Sequence, residues 1–480
     1  MSKIKINRTK IIATIGPASS DYNILKEMIS KGVDVVRLNF SHGNHKDHLQ
    51  TIKNVRNISD EFKVPITILQ DLQGPKIRVG ELKDDNFFIE DNSILKLTSK
   101  NIKGDKQMIS IDNDVIEDIK EGERILIDDG KLELKAVEIN KNNIVAKVLR
   151  GGYIYPRKGV NLPDSDIKLS SITDKDIKDL KFGLENDVDW VALSFVRSEQ
   201  DILELKDLIK KEGSRTKIIA KIEKPQAIKN INNIIDVSDG LMVARGDLGV
   251  EMPMETVPVH QKRIVNKCNL SCKPVIIATQ MLESMISSKT PTRAESNDVA
   301  NAVLDGADAV MLSAESATGE YPILAVQSME KIISSIEKTS SEIYFKFEKR
   351  KKLKDMLSES LINVACRLSD QISAKALVAM TKSGYSAFRV SGSRPKAKIY
   401  IVTNDEKIGN ELNLLWGIRA IYYDKTENID STFENIEKIL VSEGHLSKND
   451  KYIITSSMPT HWKGHTNMMK INVVDLYTQL

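Results

Sequence analysis

The sequence predicts an α/β protein: a closed (β/α)8 barrel of the TIM type, an all-β domain inserted into it, and an open α/β domain at the C-terminal end. Three observations carry that prediction. Eight short runs of Val, Ile and Ala alternate with helical patterns, the habit of doubly buried parallel strands in βαβ units. Eight is the strand number that closes such a barrel, and polar side chains stand at or just past the C-terminal ends of the runs. From Gly74 to Asp166 the helical pattern stops and short alternating segments with turn signals replace it.

The runs are Lys10–Ile15, Val33–Asn39, Ile66–Asp71, Val188–Ser194, Lys217–Glu223, Gly240–Ala244, Val275–Thr279 and Ala309–Ser313. Helical patterns lie between most of them, as at Tyr22–Lys31, Glu199–Lys211 and Thr292–Asp305. In the last of these, Thr292 and Glu295 have the spacing of a capping box. Arg37, Asn39, Asp71, Arg197, Lys221, Glu223, Asp247, Thr279 and Glu315 fall at strand ends, so closing the barrel brings them to one mouth. The insert carries candidate strands at Ser93–Leu97, Arg124–Ile127, Leu132–Val137 and Ile144–Val148, with turns at Asp129-Gly130 and Gly151-Gly152. Its position suits a lid over that mouth. Residues 1–73 and 167–340 are expected to form the barrel, 74–166 the lid, and 341–480 the C-terminal domain. That domain has candidate strands at Ala374–Thr381, Ile399–Thr403, Ile421–Tyr423 and Tyr452–Ser456. The basic run Lys349–Lys354 reads as a solvated connector, and no fixed-period repeat is evident.

Composition excludes several classes. Hydrophobic residues at 41% and charged residues at 29% are enough for several cores, which rules out disorder as the main state. Lys plus Arg is 70 against 67 for Asp plus Glu, so the basic excess of a dedicated nucleic-acid binder is missing. Cys268, Cys272 and Cys366 do not make a disulfide framework and fit a reducing, cytoplasmic compartment. Met1–Lys5 leads into no apolar signal core, and no run of about 18 apolar residues predicts a membrane span.

The chemistry gathers in a few motifs. In Lys217–Glu223 the two-residue period puts Lys221 and Glu223 on one face. A charged pair facing a barrel interior is costly unless it is paired or functional, and both readings stay open. In Ala244-Arg245-Gly246-Asp247-Leu248-Gly249 the glycines admit close backbone approach and freed amides can bind an anion, although a plain turn has the same pattern. Glu223 and Asp247, on adjacent strands, suit Mg²⁺, which takes few protein carboxylates and completes its shell with substrate oxygens. In Arg37–Gly43 the Arg37 fork suits phosphate. His42, His45 and His48 are poorly spaced for zinc. Neither a Walker A motif nor a Gly-rich dinucleotide fingerprint is present, so phosphate chemistry here would rest on Arg, Lys and metal ions. Thr381-Lys382-Ser383-Gly384-Tyr385-Ser386 follows a strand, and its hydroxyls and amides suit a phosphate.

Taken in order, several motifs resemble the pyruvate kinase family over essentially the whole chain. They are Arg37–Gly43, Asp71–Arg78, Lys158–Pro163, Lys221–Glu223, Ala244–Gly249, Ala278–Met285 and Ser313–Ser316. The resemblance implies transfer of the phosphoryl group of phosphoenolpyruvate to ADP, giving pyruvate and ATP in the last step of glycolysis. It implies two Mg²⁺ (or Mn²⁺) ions per site, one held by Glu223 and Asp247 and one arriving with the nucleotide. Amides around Ala244, Arg245 and Gly246 would cradle the substrate carboxylate. Lys221 would face the phosphoryl group and the enolate oxygen, while Arg37, supported by Arg78, clamps the phosphoryl group. Asn39, His42, Lys158 and Asp129 would contact ADP. Thr279, with Ser313 and Glu315 nearby, would serve the proton delivered to the enolpyruvate, through water and Glu315. The resemblance also implies a homotetramer and a phosphorylated effector held by Thr381, Lys382, Ser383, Gly384 and Ser386. The companion loop Ser457–His465 departs from the fructose-bisphosphate-responsive pattern.

Other departures bear on cations. Many family members hold potassium at positions matching Asn39, Ser41, Asp71 and Leu72. They carry Thr-Lys-Gly-Pro-Glu where this chain has Leu72-Gln73-Gly74-Pro75-Lys76. Lys76 resembles the potassium-independent branch, in which a tethered ammonium replaces the ion's charge, and K⁺ is expected to be dispensable. Lys224 stands where Asn is frequent and Ala314 where Gly is frequent, and neither change removes a ligand. His461 and His465, spaced i, i+4, lack further ligands. Two other readings remain: another Mg²⁺-dependent barrel enzyme acting on pyruvate enolates, and a non-catalytic metabolite-binding descendant. The first needs no lid, His42 or Lys158, and the second predicts the loss of a catalytic position.

Overall fold

Eight parallel strands close into a barrel, each pairing with the next in the chain and the last with the first. They are Lys10–Thr14, Val35–Asn39, Thr67–Asp71, Trp190–Leu193, Lys217–Ile222, Gly240–Ala244, Val275–Ala278 and Ala309–Leu312. All of the expected runs are strands, most of them trimmed by a residue or two at an end. Alternate residues face two cores, which is why the runs are apolar throughout. Ile12, Val35, Leu69, Trp190, Ile219 and Met242 fill the barrel interior, while Ile11, Val36, Ile68, Val191 and Ile218 pack under the helices. The helix Arg293–Asp305 opens with the expected capping box of Thr292 and Glu295. The computed structural model describes residues 7–111, 115–141, 143–341, 343–344, 356–425, 428–459 and 466–475. The basic run 349–354 and His461 and His465 lie outside them.

The barrel floor follows a rule the sequence did not reveal. An aspartate precedes every second strand: Asp34, Asp189, Asp239 and Asp308. Each carboxylate accepts a backbone amide from the preceding strand: Ile11 at 2.9 Å, Ile68 at 2.7 Å, Ile218 at 3.0 Å and Val275 at 3.0 Å. Three of them also face a cation, Lys10 at 3.4 Å, Arg56 at 3.0 Å and Arg394 at 2.9 Å. The C-terminal unit seals this floor. Arg394 belongs to it, Lys10 reaches its Ile418 carbonyl at 3.0 Å, and the Trp190 indole donates to the Glu411 carbonyl at 2.9 Å.

The insert forms a six-stranded sheet and a two-stranded one around its own apolar core. All four expected strands are present, as Ile94–Thr98, Arg124–Ile127, Leu132–Asn140 and Asn143–Arg150. Phe87–Ile89, Met108–Ser110, Gly152–Ile154 and Val160–Asn161 were missed, being too short to show an alternation. The C-terminal sheet runs in the order Ile418–Tyr422, Lys398–Thr403, Ala376–Met380, Lys451–Ser456, Met468–Val473, with only the last pair antiparallel. Met468–Val473 was also missed, since Lys470 and Asn472 break its apolar run, as suits a half-exposed edge strand. Among the described residues no helix is long and apolar enough to cross a membrane.

Candidate active site

At the mouth, four charged side chains from three different strand ends line up: Arg37, Asp71, Lys221 and Glu223. The Arg37 guanidinium reaches Asp71 Oδ2 through Nε and Nη2, both at 2.7 Å, and donates from Nη1 to Thr14 Oγ1 at 2.9 Å. Lys221 Nζ lies 3.2 Å from Asp71 Oδ1 and 3.0 Å from Glu223 Oε1, and donates to Ser194 Oγ at 2.7 Å. Ser194 donates in turn to the Leu72 carbonyl at 2.7 Å, and Glu223 Oε2 accepts the Phe195 amide at 2.7 Å. Asp71 and Glu223 are each 1% exposed, so every charge in the row depends on its neighbours rather than on water.

Burial opposes the charge on Lys221, but Asp71 and Glu223 more than offset it and its pKa stands above the ordinary lysine value. Burial likewise opposes ionisation of Asp71, and Lys221 and Arg37 reverse the sign, so that it lies below the carboxylate range. Glu223 goes the other way. Burial raises it and Asp247 adds like-charge repulsion that Lys221 does not cancel. An acid pair left with surplus negative charge fits a divalent cation. Among the described residues no cluster of three or more His, Cys, Asp or Glu side chains is placed to hold a metal. An ion at Glu223 and Asp247 would therefore complete its shell with outside oxygens, as Mg²⁺ does.

Beside this row, Thr279 and Gln280 both hold left-handed backbone, with φ +69° and +54°. For a β-branched residue that conformation costs of order 1–3 kcal/mol and marks a position held by its surroundings. The holding contacts are clear. Thr279 Oγ1 accepts the Gly246 amide at 2.7 Å and donates to the Ala278 carbonyl at 2.5 Å. Arg245, next to Ala244 and Gly246, grips the same segment through the Thr279 carbonyl at 2.8 Å and Asp298 at 2.7 Å. Glu315 is buried, and both its oxygens accept backbone amides, Leu282 at 3.1 Å and Ser313 at 2.7 Å. Arg197 turns away from the row to the carbonyls of Ile167 and Leu169 on the returning leg of the insert.

The loop after Asn39 is braced from behind. Asn39 Oδ1 accepts the Ser41 amide at 3.1 Å. Lys175 Nζ donates to the Phe40 carbonyl at 2.6 Å, His48 bonds the His42 carbonyl at 3.0 Å, and the Phe40 and His48 rings stack at 4.2 Å. His45 pairs with Asp179 at 2.7 Å. Burial, then Arg78, Lys76 and Arg37, push the His42 pKa below the usual imidazole value, so the ring is neutral at pH 7. Arg78 itself donates to the Arg157 carbonyl at 3.0 Å. Lys76 is half-buried against Gly159 and lines a small cavity of about 50 Å³ shared with Asn161, Lys224 and Asp247. Lys158 pairs with Asp128 at 2.9 Å, while Asp129 is exposed at the turn.

In the C-terminal unit, Gly384 takes φ +80° and donates its amide to Thr381 Oγ1 at 2.9 Å, which curls the Thr381–Ser386 loop onto the helix Tyr385–Gly392. Lys382 and Ser383 are exposed, and Ser386 is buried with its hydroxyl unpaired.

The structure thus brings Arg37, Asp71, Lys221 and Glu223 into direct contact, with Asp247 close enough to act on Glu223 and Thr279 joined to the Gly246 amide. Sequence reasoning missed Thr14, Asp128 and Lys175 as partners. It also passed over Ser194, although that residue closes the fourth predicted run, because a lone serine at a strand end has no charge to mark it.

Comparisons with known proteins bear on the fold and the family. A family model described as pyruvate kinase, barrel domain, matches residues 6–326, and one described as pyruvate kinase, alpha/beta domain, matches residues 359–472. The chain is 40% identical over 466 residues to a pyruvate kinase of Agrobacterium vitis, covering 97% of this chain and 96% of that one. It is 39% identical over 474 residues to a pyruvate kinase of Corynebacterium efficiens, covering 98% and 99%. A crystal structure of a pyruvate kinase from Cryptosporidium parvum superposes with a TM-score of 0.90 at 34% identity, covering 97% of this chain and 96% of that one.

Proposed function

The chain belongs to the pyruvate kinase family, and from that premise we propose how its own residues divide the work. The reaction moves the phosphoryl group of phosphoenolpyruvate to ADP and leaves pyruvate and ATP. The observation that carries the assignment of roles is the Arg37–Asp71–Lys221–Glu223 row, a buried pair of cations held by carboxylates at one barrel mouth.

Arg37 binds the phosphoryl oxygens, supported by the charge of Arg78 at the base of the lid. A terminal oxygen of ADP attacks phosphorus, the bond from phosphorus to the enol oxygen breaks, and Lys221 balances the charge that develops on both sides. Glu223 and Asp247 would hold Mg²⁺, which when bound supplies Lewis-acid polarisation of the phosphoryl and enolate oxygens. A second Mg²⁺ is read as arriving with the nucleotide. Amides at Ala244, Arg245 and Gly246 are read as the cradle of the substrate carboxylate, the Gly246 amide passing to it from Thr279 Oγ1. Asn39, the neutral His42, Lys158 and Asp129 face the nucleotide, and Asp128 holds Lys158 in place. The enolate left behind gains a proton on its methylene carbon. Thr279 faces that carbon and its hydroxyl positions the donor. Glu315, with both oxygens on backbone amides, is read as fixing the Ser313 and Leu282 segments rather than as a relay.

Lys76 takes the place of potassium in this reading. Support comes from three of the four positions that would ligate the ion, whose oxygens already have protein partners. Asn39 has the Ser41 amide, Leu72 the Ser194 hydroxyl, and Asp71 has Arg37 and Lys221. We assign residues 1–73 and 167–340 to the catalytic barrel, 74–166 to the lid and 341–480 to a regulatory domain. A phosphorylated effector on Thr381, Lys382, Ser383, Gly384 and Ser386, a homotetramer and a cytoplasmic location without membrane or nucleic-acid partners complete the reading. The test is pyruvate formation from phosphoenolpyruvate, ADP and Mg²⁺ in potassium-free buffer. Full activity there supports both the kinase roles and Lys76. Activity that appears only with K⁺, and not with Na⁺ or a bulky ammonium ion, removes Lys76 from the mechanism.

A further inference from the structure

One buried carboxylate at the barrel mouth has no part in the roles above. Glu251 closes the short helix Arg245–Glu251, the segment that begins at the carboxylate cradle and carries Asp247. It is 3% exposed. Its Oε1 accepts the Asn161 side-chain amide at 2.7 Å and pairs with Lys224 Nζ. Its Oε2 is buried without a hydrogen-bond partner. A carboxylate kept this dry is costly unless its partners hold it, so the contact is demanding in geometry.

The two partners differ in what lid opening does to them: Asn161 must leave Glu251, whereas Lys224 stays beside it on the barrel. Asn161 lies on the strand Val160–Asn161, part of the six-stranded lid sheet through its pairing with Arg124–Ile127. Lys224 directly follows Glu223 and rests over the Phe195 ring at 5.8 Å. A second lid contact reaches the same helix, where the turn at Gly130 approaches Val250. Asn161, Lys224, Asp247 and Lys76 line one small cavity, so the contact lies directly beside the site.

We propose that Glu251 is the seat of the lid: a positioning residue whose Oε1, shared by Asn161 and Lys224, sets how the lid closes onto the helix that carries Asp247. Its consequence for ADP rests on the reading of residues 74–166 as the nucleotide cover. Opening the lid takes Asn161 away and leaves Glu251 with Lys224 alone. Lys224 stays paired with the carboxylate in both states, so the lid amide returns to an acceptor already held in place.

The variants are Asn161→Ala, Glu251→Gln and Lys224→Met, none of which is a member of the catalytic row. Hydrogen–deuterium exchange is followed at the two lid legs, around residues 74–79 and 156–162, together with KM for ADP, KM for phosphoenolpyruvate and kcat. Expected are faster exchange at both legs in N161A and E251Q and a KM for ADP raised about tenfold. The phosphoenolpyruvate KM should stay within about twofold, and the double variant should be no worse than the single ones. Leg exchange unchanged in N161A and E251Q overturns the seat whatever the kinetics do. Faster leg exchange with an unchanged KM for ADP upholds the seat and rejects the nucleotide-cover reading. Lys224→Met covers the case in which E251Q fails to fold: leg exchange equal to the parent in K224M and N161A likewise overturns the proposal.

Discussion

Replacing Lys221 with methionine tests the row at its centre. The ammonium lies 3.0 Å from Glu223 and 3.2 Å from Asp71, both nearly fully buried. At an effective dielectric near 20 each contact is worth roughly 5 kcal/mol before the cost of burying the charges is counted. Removing one partner of such a cluster costs about 3–5 kcal/mol, because the remaining carboxylates are left uncompensated. Arg37 still holds Asp71 Oδ2, so Glu223, already raised by burial and by Asp247, is the group that takes up a proton. A carboxyl whose folded pKa is raised stabilises fully below its unfolded value, about 4.3, and loses that contribution as pH rises through the folded value. K221M should therefore melt close to the parent near pH 5 and well below it at pH 8. Its kcat at saturating substrates should fall about 10³-fold, close to 4 kcal/mol of lost transition-state stabilisation. The assays are thermal melts at the two pH values and initial rates on folded protein. A folded K221M with turnover within tenfold of the parent would make Lys221 a structural cation, and a melting difference independent of pH would refute the account of Glu223.

Three further substitutions separate other parts of the argument. Lys76→Glu should make the enzyme dependent on potassium, with rates low in its absence and restored by K⁺ but not by Na⁺; equal rates with and without K⁺ would remove Lys76 from the cation site. Thr279→Val keeps the shape but strands the Gly246 amide, at a cost of about 1–3 kcal/mol, and should lower kcat at least 10²-fold, whereas Thr279→Ser should stay within severalfold. Equal activity of the two would show that the hydroxyl is idle. Glu411, pushed up to about 7 by burial and by Asp189, against the pull of Lys217, Arg215 and Lys407, should weaken the fold as pH rises from about 4.5 to 7. Glu411→Gln should remove that slope, gaining on the parent by on the order of 2–3 kcal/mol between pH 5 and pH 8 in denaturant melts, and parallel pH profiles would contradict it.

What the sequence made legible divides along physical lines. The barrel strands could be read because double burial demands unbroken Val, Ile and Ala, and the helix at Thr292 because its cap is written in two residues. Arg37, Lys221 and Glu223 could be read because a charge at the end of an apolar strand is conspicuous. Met468–Val473 was hidden because a half-exposed edge strand needs no apolar run. Asp128 was hidden behind Asp129: three successive left-handed residues, Asp128, Asp129 and Gly130, decide which aspartate turns toward Lys158, and spacing alone cannot show that. Ser194 and Thr14 were hidden because their value lies in what they touch. Lys175 sits among other lysines on an outer helix, and only the fold shows that this one reaches the Phe40 carbonyl.

The two ends of the barrel use the same residue types to opposite effect. At the floor, Asp34, Asp189, Asp239 and Asp308 are each tied to a backbone amide. Where a cation joins, as with Arg394 on Asp308, the sealing domain or the barrel wall supplies it. Amide and cation tie these carboxylates into the fold, although burial still holds Asp34, Asp189 and Asp308 above the usual carboxylate range. At the mouth, Lys221 is held by two side chains that are themselves charged, and Glu223 keeps an unneutralised surplus from Asp247. An arrangement with that surplus is stable only to the extent that something else can enter and balance it. In the proposed reading a divalent cation would balance the acid pair, and a phosphoryl group would balance Arg37 and Lys221. In that reading the surplus that Asp247 adds beside Glu223 is what would draw a metal ion and a phosphoryl substrate to the mouth.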